Sequence, residues 1–225
     1  MMHHEIQTLR LDGLISYAHG LDLQKARSKA VEAGEAGNAL FLLEHEPVLT
    51  MGRNFQSGNL LVSPEALAAR GIALEKVDRG GDVTYHGPGQ LVAYPVLDLK
   101  QWKLSIRWYL RSLEQVLINQ LAGYGLHAGR EEGRTGVWVG GAKVAAIGVG
   151  IHNWVTYHGI ALNVDPIMEH FGFIVPCGIG DKPVTTLRQL LGAAPPMQQV
   201  MDDFEAAFRE YFVDWQDETP PIPAG

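Results

Sequence analysis

A chain of 225 residues, 46% hydrophobic and 19% charged, is long enough to bury a substantial core in one or two globular domains. Its formal net charge of -7 excludes a general nucleic-acid binder, which is normally basic, and leaves room only for local basic patches. The single cysteine, Cys177, excludes an internal disulfide framework and a cysteine-cluster metal site.

Neither HExxH nor paired ligand spacing occurs among the nine histidines, so no metal is assigned. No apolar run reaches the roughly 18 residues that a membrane span needs. The opening MMHHEIQTLRLDG has no basic region followed by an apolar block. The expectation is a cytoplasmic protein with no membrane contact.

In chain order, Ile6 to Leu11 alternates as a first strand, and Tyr17 to Ala36 reads as a helix closed by Gly34 and Gly37. Ala39 to Leu43 is a buried strand, broken at Glu46-Pro47 and resumed from Val48 to Met51 before the polar loop Gly52 to Asn59. Ser63-Pro64-Glu65 starts a short helix that ends at Gly71, with Ser as cap, Pro first and an acid in the first turn. Ile72 to Val77 and Leu91 to Leu97 are strands joined by a glycine-rich loop. Ser105 caps a longer helix with Leu110, Leu113, Leu117 and Leu121 on one face, ended by Gly123. Gly136 to Val139 and Ala142 to Ile151 form a hairpin about Gly140-Gly141, followed by a strand from Val155 to Val164. Pro166 to Phe171 is a short helix, and Met197 to Val213 a strong one with Val200, Phe204, Phe208 and Phe212 as its core stripe. Residues 1–215 make one α+β domain with a mixed, mostly antiparallel sheet and flanking helices; 216–225, QDETPPIPAG, is a disordered tail.

Eighteen of the 26 glycines fall between Gly71 and Gly180, which puts the backbone-constrained part of the chain in its middle. Densest is Arg79 to Tyr94, RGGDVTYHGPGQLVAY, where glycines that permit close backbone approach stand beside Arg79, Thr84, Tyr85, His86 and Gln90. We read it as one wall of a binding site. Cys177 lies in VPCGIGDKP, between residues that fix the backbone and keep bulk from the sulfur, and Gly178 and Gly180 can aim backbone N–H groups at an oxyanion. A buried, inert cysteine is the ordinary alternative.

A reactive thiolate needs a cation nearby, and Lys143 is the best source. Strict alternation puts it on the face of Ala145, Ile147, Val149 and Ile151, where a protonated ammonium beside Cys177 would favour the thiolate. An edge-strand lysine with its ammonium in solvent is the competing reading. His86, His158 and Tyr85 offer a Cys-His pairing by inventory, although shaping or hydrogen bonding suits the histidines better. Asp78-Arg79 and Asp181-Lys182 read as surface ion pairs.

The four blocks RGGDVTYHGPGQLVAY, GGAKVAAIG, YHGIALNV and VPCGI, in that order, resemble the lipoyl(octanoyl) transferases over Arg79 to Ile179, nearly half the chain. That resemblance implies the single-domain fold of biotin protein ligases and lipoate ligases. It implies transfer of an octanoyl group from octanoyl-acyl carrier protein to one lysine of a lipoyl domain, the first step of making protein-bound lipoate. The acceptors would be lipoyl domains of 2-oxoacid dehydrogenase complexes and the glycine cleavage H protein. By motif match, Cys177 is the acyl-thioester nucleophile and Lys143 lowers its pKa. The substrate-binding residues would be Arg79, Gly80, Gly81, Asp82, Val83, Thr84, Tyr85 and His86, with Ala146, Ile147, Gly148, Gly159, Ile160 and Ala161. No cofactor is implied, and a monomer is expected.

Two other functions compete: an ATP-dependent lipoate or biotin ligase on the same fold, and a non-catalytic module that binds acylated domains. Acyl carrier proteins and many lipoyl domains are acidic, as this chain is, so docking needs a local basic surface. Arg107, Arg111, Arg130, Arg134 and Lys182 are its expected residues.

Overall fold

The computed structural model describes residues 4–175 and 182–214. Strand β2 (Asn38–His45) explains why the central sheet is covered on both faces. Its side chains alternate, so Leu40 and Leu42 enter one apolar cluster while Ala39, Phe41 and Leu43 enter another. β6 (Gln90–Val96) divides in the same way, Leu91 and Ala93 against Val92, Tyr94 and Val96. So does β10 (Val155–Asn163), with Ile160 and Leu162 against Val155 and Ala161. Strands that are apolar on both faces are stable only between two further layers.

Four more strands complete the sheet: β1 (Ile6–Ile15), β7 (Ala128–Gly129), β8 (Val137–Val139) and β9 (Ala142–His152). The seven run in the order β1-β2-β6-β10-β9-β8-β7, and every pairing except β1 with β2 is antiparallel. Gly140 and Gly141, at φ of 58° and 79°, make the expected two-residue turn between β8 and β9.

Helices α3 (Ile106–Gly123) and α5 (Met197–Phe212) cover one face, where Leu113, Leu117, Leu121, Val200, Phe204, Phe208 and Phe212 join the Leu40 cluster. α1 (Tyr17–Glu32) covers the other through Val31 and Leu23. The serine caps read from the sequence are formed. Ser63 Oγ accepts from the Ala66 N–H at the start of α2 (Pro64–Ala68), and Ser105 Oγ from the Trp108 N–H. On α3 the core stripe takes Tyr109 and Val116 rather than Leu110, which is half-buried at its edge.

The single sheet expected from the sequence is corrected to two. β3 (Val48–Met51), β4 (Ala73–Lys76) and β5 (Val83–His86) form a separate three-stranded sheet in the order β4-β3-β5. The stretch read as a loop between two strands therefore contains a strand of its own. Val83 and Tyr85 pack against Leu49, Leu67 and Ile72, while Thr84 and His86 take the opposite face. Glycines on both sides of this four-residue strand hide its period of two. The helix expected from Pro166 is a 3-10 segment, Met168–Phe173, and a short helix, α4 (Leu187–Leu191), was not foreseen. The 216–225 tail lies outside the described residues.

Gly159 shows how closely β10 and β6 approach. An added Cβ there would stand 2.3 Å from the Ala93 carbonyl oxygen and 2.7 Å from Pro95 Cδ. Gly159→Ala is expected to lower the unfolding free energy by about 1–3 kcal/mol in urea denaturation, because the obstructing atoms are backbone and ring. Gly123→Ala, with nothing within 4 Å of its Cβ, is expected to be neutral or slightly stabilising. Equal stability of the two variants would contradict this account.

Candidate active site

The floor of the site is set by the register between β9 and β10. Ala146 lies opposite Ala161, Ile147 opposite Ile160, and Gly148 opposite Gly159. Directly opposed residues of an antiparallel pair share a face. Ile147 and Ile160 therefore point together toward α3 and α5, where Ile160 belongs to the core. The two alanines and two glycines point the other way and leave a bare floor beneath a cavity that opens to solvent.

Three walls stand on this floor. The first is the turn Arg79-Gly80-Gly81, held down by the Gly80 N–H bond to the Val149 carbonyl at 2.9 Å. Arg79 is buried: Nε donates to Thr50 Oγ1 at 3.2 Å, Nη2 to the Thr50 carbonyl at 2.7 Å, and Nη1 to the Gly80 carbonyl at 2.9 Å. The second wall is Thr84 and His86 of β5. The third is Tyr17, Tyr94 and His158, from α1, β6 and β10.

His158 lies within β10 at a φ of 56°, a conformation uncommon outside glycine and one that marks stored strain. Gln24 Oε1 accepts its backbone N–H at 2.6 Å and anchors it. Its ring bridges Asp78 Oδ1 at 3.0 Å and the Tyr17 hydroxyl at 3.3 Å. His45 lies behind Tyr94, 2.7 Å from its hydroxyl, and His86 Nδ1 is 2.8 Å from Gln90 Oε1. Burial pushes all three imidazoles down, His45 and His158 to about 4 and His86 to about 3, where the neighbouring His45 adds to the effect. They are neutral at pH 7. Burial alone would raise the Asp78 carboxyl, but hydrogen bonds from His158 and Tyr157 outweigh it and hold the group below its usual range.

Lys143 is buried on β9 beyond Ala146, with Nζ 4.8 Å above the Trp138 ring. The face expected from strict alternation is corrected here. Opposite Val137 and Trp138 the register shifts by one residue, so Val144 and Ala145 both enter the core and Lys143 turns to Trp138 instead. The Lys143 backbone pairs outside its own hairpin, donating to the Pro183 carbonyl and accepting from the Thr185 N–H, each at 2.9 Å. Cys177, with Pro176, Gly178 and Asp181, lies outside the described residues. The chain enters that stretch from Val175, whose N–H donates to the Asn59 carbonyl at 2.9 Å, and leaves it onto Lys143.

Of the fourteen residues read as substrate-binding, the cavity brings together Arg79, Gly80, Gly81, Thr84, His86, Ala146, Ile147, Gly148, Gly159, Ile160 and Ala161. The other three do not line it. Val83 and Tyr85 face the small-sheet core, and Tyr85 reaches His170 through its hydroxyl. Asp82 accepts the Gln56 and Val83 N–H groups and the Asn59 amide, bracing the loop below β3. Tyr17 and Tyr94 were missed. Both sit where the hydrophobic pattern asks for a core residue, and only their hydroxyls signal otherwise. The surface ion pair expected of Asp78 and Arg79 is corrected: Asp78 binds His158 and Tyr157, and Arg79 holds Thr50.

A family model described as the lipoyl protein ligase A/B catalytic domain matches residues 16–209. The chain belongs to that family. It is 48% identical over 204 residues to the octanoyltransferase of Solibacter usitatus (strain Ellin6076), a match covering 91% of this chain and 92% of that one. To the octanoyltransferase of Chloroflexus aurantiacus (strain ATCC 29366 / DSM 635 / J-10-fl) it is 47% identical over 208 residues, 91% and 93% of the two chains. In fold it is similar to lipoate-protein ligase A bound with ATP, with a TM-score of 0.71 at 17% identity over 93% of this chain and 85% of that one. Biotin protein ligase from Aquifex aeolicus with biotin and ATP follows at a TM-score of 0.56 and 13% identity, covering 94% and 72%. The α+β fold of the biotin and lipoate ligases, expected from the four motifs, is thus the fold of this chain, with its mostly antiparallel main sheet and flanking helices.

The neutral histidines carry a pH signature. The unfolded chain takes up protons on histidine near 6.5, whereas folded His45, His86 and His158 do so only near 4, 3 and 4. Between these values the unfolded state binds more protons, so stability falls as pH drops from about 6.5 to about 4 and is level above that window. We expect urea midpoints to decline over this range, with a smaller slope in His86→Gln by about one proton. A flat profile would contradict the assigned neutral state.

Proposed function

We propose that the chain transfers an octanoyl group from octanoyl-acyl carrier protein to a specific lysine of lipoyl domains through an acyl thioester on Cys177. This is the first step of protein-bound lipoate synthesis. Its acceptors are the lipoyl domains of 2-oxoacid dehydrogenase complexes and the glycine cleavage H protein, and it acts as a cytoplasmic monomer. The observation that carries the reading is the β9–β10 register: paired Ala146–Ala161 and Gly148–Gly159 make a slot free of side-chain bulk, on the same strand as buried Lys143. Cys177 precedes Pro183 by six residues, a tether of at most about 22 Å to the residue whose carbonyl accepts the Lys143 N–H.

In this reading the Cys177 thiolate, paired with the Lys143 ammonium, attacks the carrier's thioester. The carrier thiol leaves with the ammonium's proton. Neutral Lys143 then takes a proton from the acceptor amine as its nitrogen attacks the acyl-enzyme, and Cys177 departs again as thiolate. The first exchange joins two thioesters of similar energy, and the second runs downhill to an amide.

Mixing the protein with octanoyl carrier protein is expected to give a single octanoyl adduct at Cys177 by intact mass and peptide mapping, and Cys177→Ser is expected to lose adduct and turnover together. Full activity in Cys177→Ser, or turnover only with ATP and pyrophosphate release, would reject the mechanism.

Carrier docking on the basic surface is a further part of this reading, with one adjustment. Arg111 and Arg130 hold the buried Glu114 at 2.7 and 2.9 Å, and Lys182 pairs with Glu131 at 3.3 Å. Arg107 stands on the exposed rim of a groove with Ile106, Leu110 and Arg134. Arg107→Glu is expected to raise the carrier KM about three- to tenfold with kcat little changed, since a rim charge acts on encounter. Unchanged carrier kinetics would count against this surface.

A further inference from the structure

The Pro183 carbonyl and the Thr185 N–H fix the Lys143 backbone, but its ammonium stands at the end of a flexible four-carbon stem. Where that end lies is set by what the stem packs against. Trp138 is one wall, its ring 4.8 Å from Nζ. Gly136, at the entry to the same hairpin, is another. A Cβ built on it would stand 3.2 Å from Lys143 Cε and 3.6 Å from Nζ. It would also stand 2.8 Å from the Ala145 carbonyl oxygen, at a residue whose φ of 132° favours glycine. The bare backbone of Gly136 thus leaves the space that the end of Lys143 occupies.

Gly136 is buried where the chain enters β8, and its N–H donates to Glu114 Oε1 at 3.2 Å. Glu114 comes from the middle of α3 and is 1% exposed. Its second oxygen, Oε2, pairs with Arg111 Nη1 at 2.7 Å and Arg130 Nε at 2.9 Å. Arg130 is tied in turn to the Arg111 carbonyl at 3.1 Å and to Gln115 Oε1 at 2.9 Å. A carboxylate taken out of water needs such partners. Here the two arginines answer its charge and hold Oε1 in place. From there a single bond reaches the Gly136 backbone.

Reacting groups must be held within about 0.5 Å of their productive geometry, and a displacement of about 1 Å costs on the order of a hundredfold in rate. Gly136 lies close enough to the Lys143 stem for a shift of its backbone to reach the ammonium. A carboxylate that served only to neutralise Arg111 and Arg130 would affect stability and leave the lysine where it is.

We propose that Glu114 is a positioning residue for the acyl transfer: by holding the Gly136 N–H it sets the backbone against which the Lys143 ammonium is placed. The proposal rests on the reading that Lys143 and Cys177 form the catalytic pair. Its two kinds of contact can be separated. Glu114→Asp keeps the charge, and the long side chains of Arg111 and Arg130 can follow it. The shorter side chain withdraws by one methylene from a backbone N–H that cannot follow. Gln120→Ala is the control, because it breaks a different buried bond of α3, to the Val200 carbonyl at 2.9 Å.

Glu114→Asp is expected to lower kcat with octanoyl carrier protein about tenfold while the carrier KM stays within about twofold. Cys177 is the only cysteine, so its alkylation by iodoacetamide across pH reports its own thiolate fraction. The alkylation midpoint is expected to rise by about half a pH unit in Glu114→Asp, because a displaced ammonium favours the thiolate less. Gln120→Ala is expected to leave kcat and midpoint unmoved. Should Glu114→Asp fail to fold, Gly136→Ala displaces the same lysine from the other end of the bond, with the same two readouts. The proposal is overturned if the loss lies in KM alone, if the midpoint does not move, or if Gln120→Ala moves both readouts as far. A wild-type midpoint of about 8.5 that Lys143→Ala leaves unchanged would instead reject the catalytic pair. Competitive acetylation of the buried Lys143 amine, expected about threefold faster in Glu114→Asp, then decides the positioning alone, and equal rates overturn it.

Discussion

The site depends on the pairing register between β9 and β10. Side chains in a strand alternate with a period of two, so a slip of one residue would exchange the faces of every residue on that strand. A slip of β9 would turn Ile147 into the cavity and leave Ala146 and Gly148 facing the α3–α5 core. The register is secured from both sides. Leu162 and Ile160 are locked into the large cluster, while Gly159 admits the β6 backbone at a distance that no other residue tolerates. A wide slot and a dense core are two consequences of one alignment.

Polar groups inside the second layer follow a different logic. Isolated charge there would be expensive, and the chain avoids it by keeping three histidines neutral and supplying each with an oxygen partner. Arg79 is the exception, a buried guanidinium held by Thr50 and the Gly80 carbonyl. Strain at His158 fits the same picture: its backbone leaves the strand conformation so that its ring can span Asp78 and Tyr17.

Much of this was legible in the sequence. Strands with strong apolar runs, the serine caps and the Gly140-Gly141 turn could be read because each depends on local chemistry, whereas the two small-residue triplets came only with the family resemblance. What could not be read depends on distant partners. β5 is four residues among glycines, and only its antiparallel pairing with β3 makes it a strand. The bulge that turns Lys143 toward Trp138 leaves no mark in a sequence whose alternation looks regular. Tyr17 and Tyr94, 77 positions apart, look like core residues until His158 and His45 are seen behind their hydroxyls.

The hydrogen bond between His86 and Gln90 opens a chain, in which Gln90 Nε2 donates to Asn163 Oδ1 at 2.9 Å. Thr185, whose carbonyl accepts from Asn163, gives its own N–H to the Lys143 carbonyl. Four residues thus tie the cavity wall to the backbone that carries the lysine, through bonds present before any ligand arrives. Binding at such a frame freezes few rotamers, so little conformational entropy is lost when the cavity fills. A ligand entering it meets a mould already set.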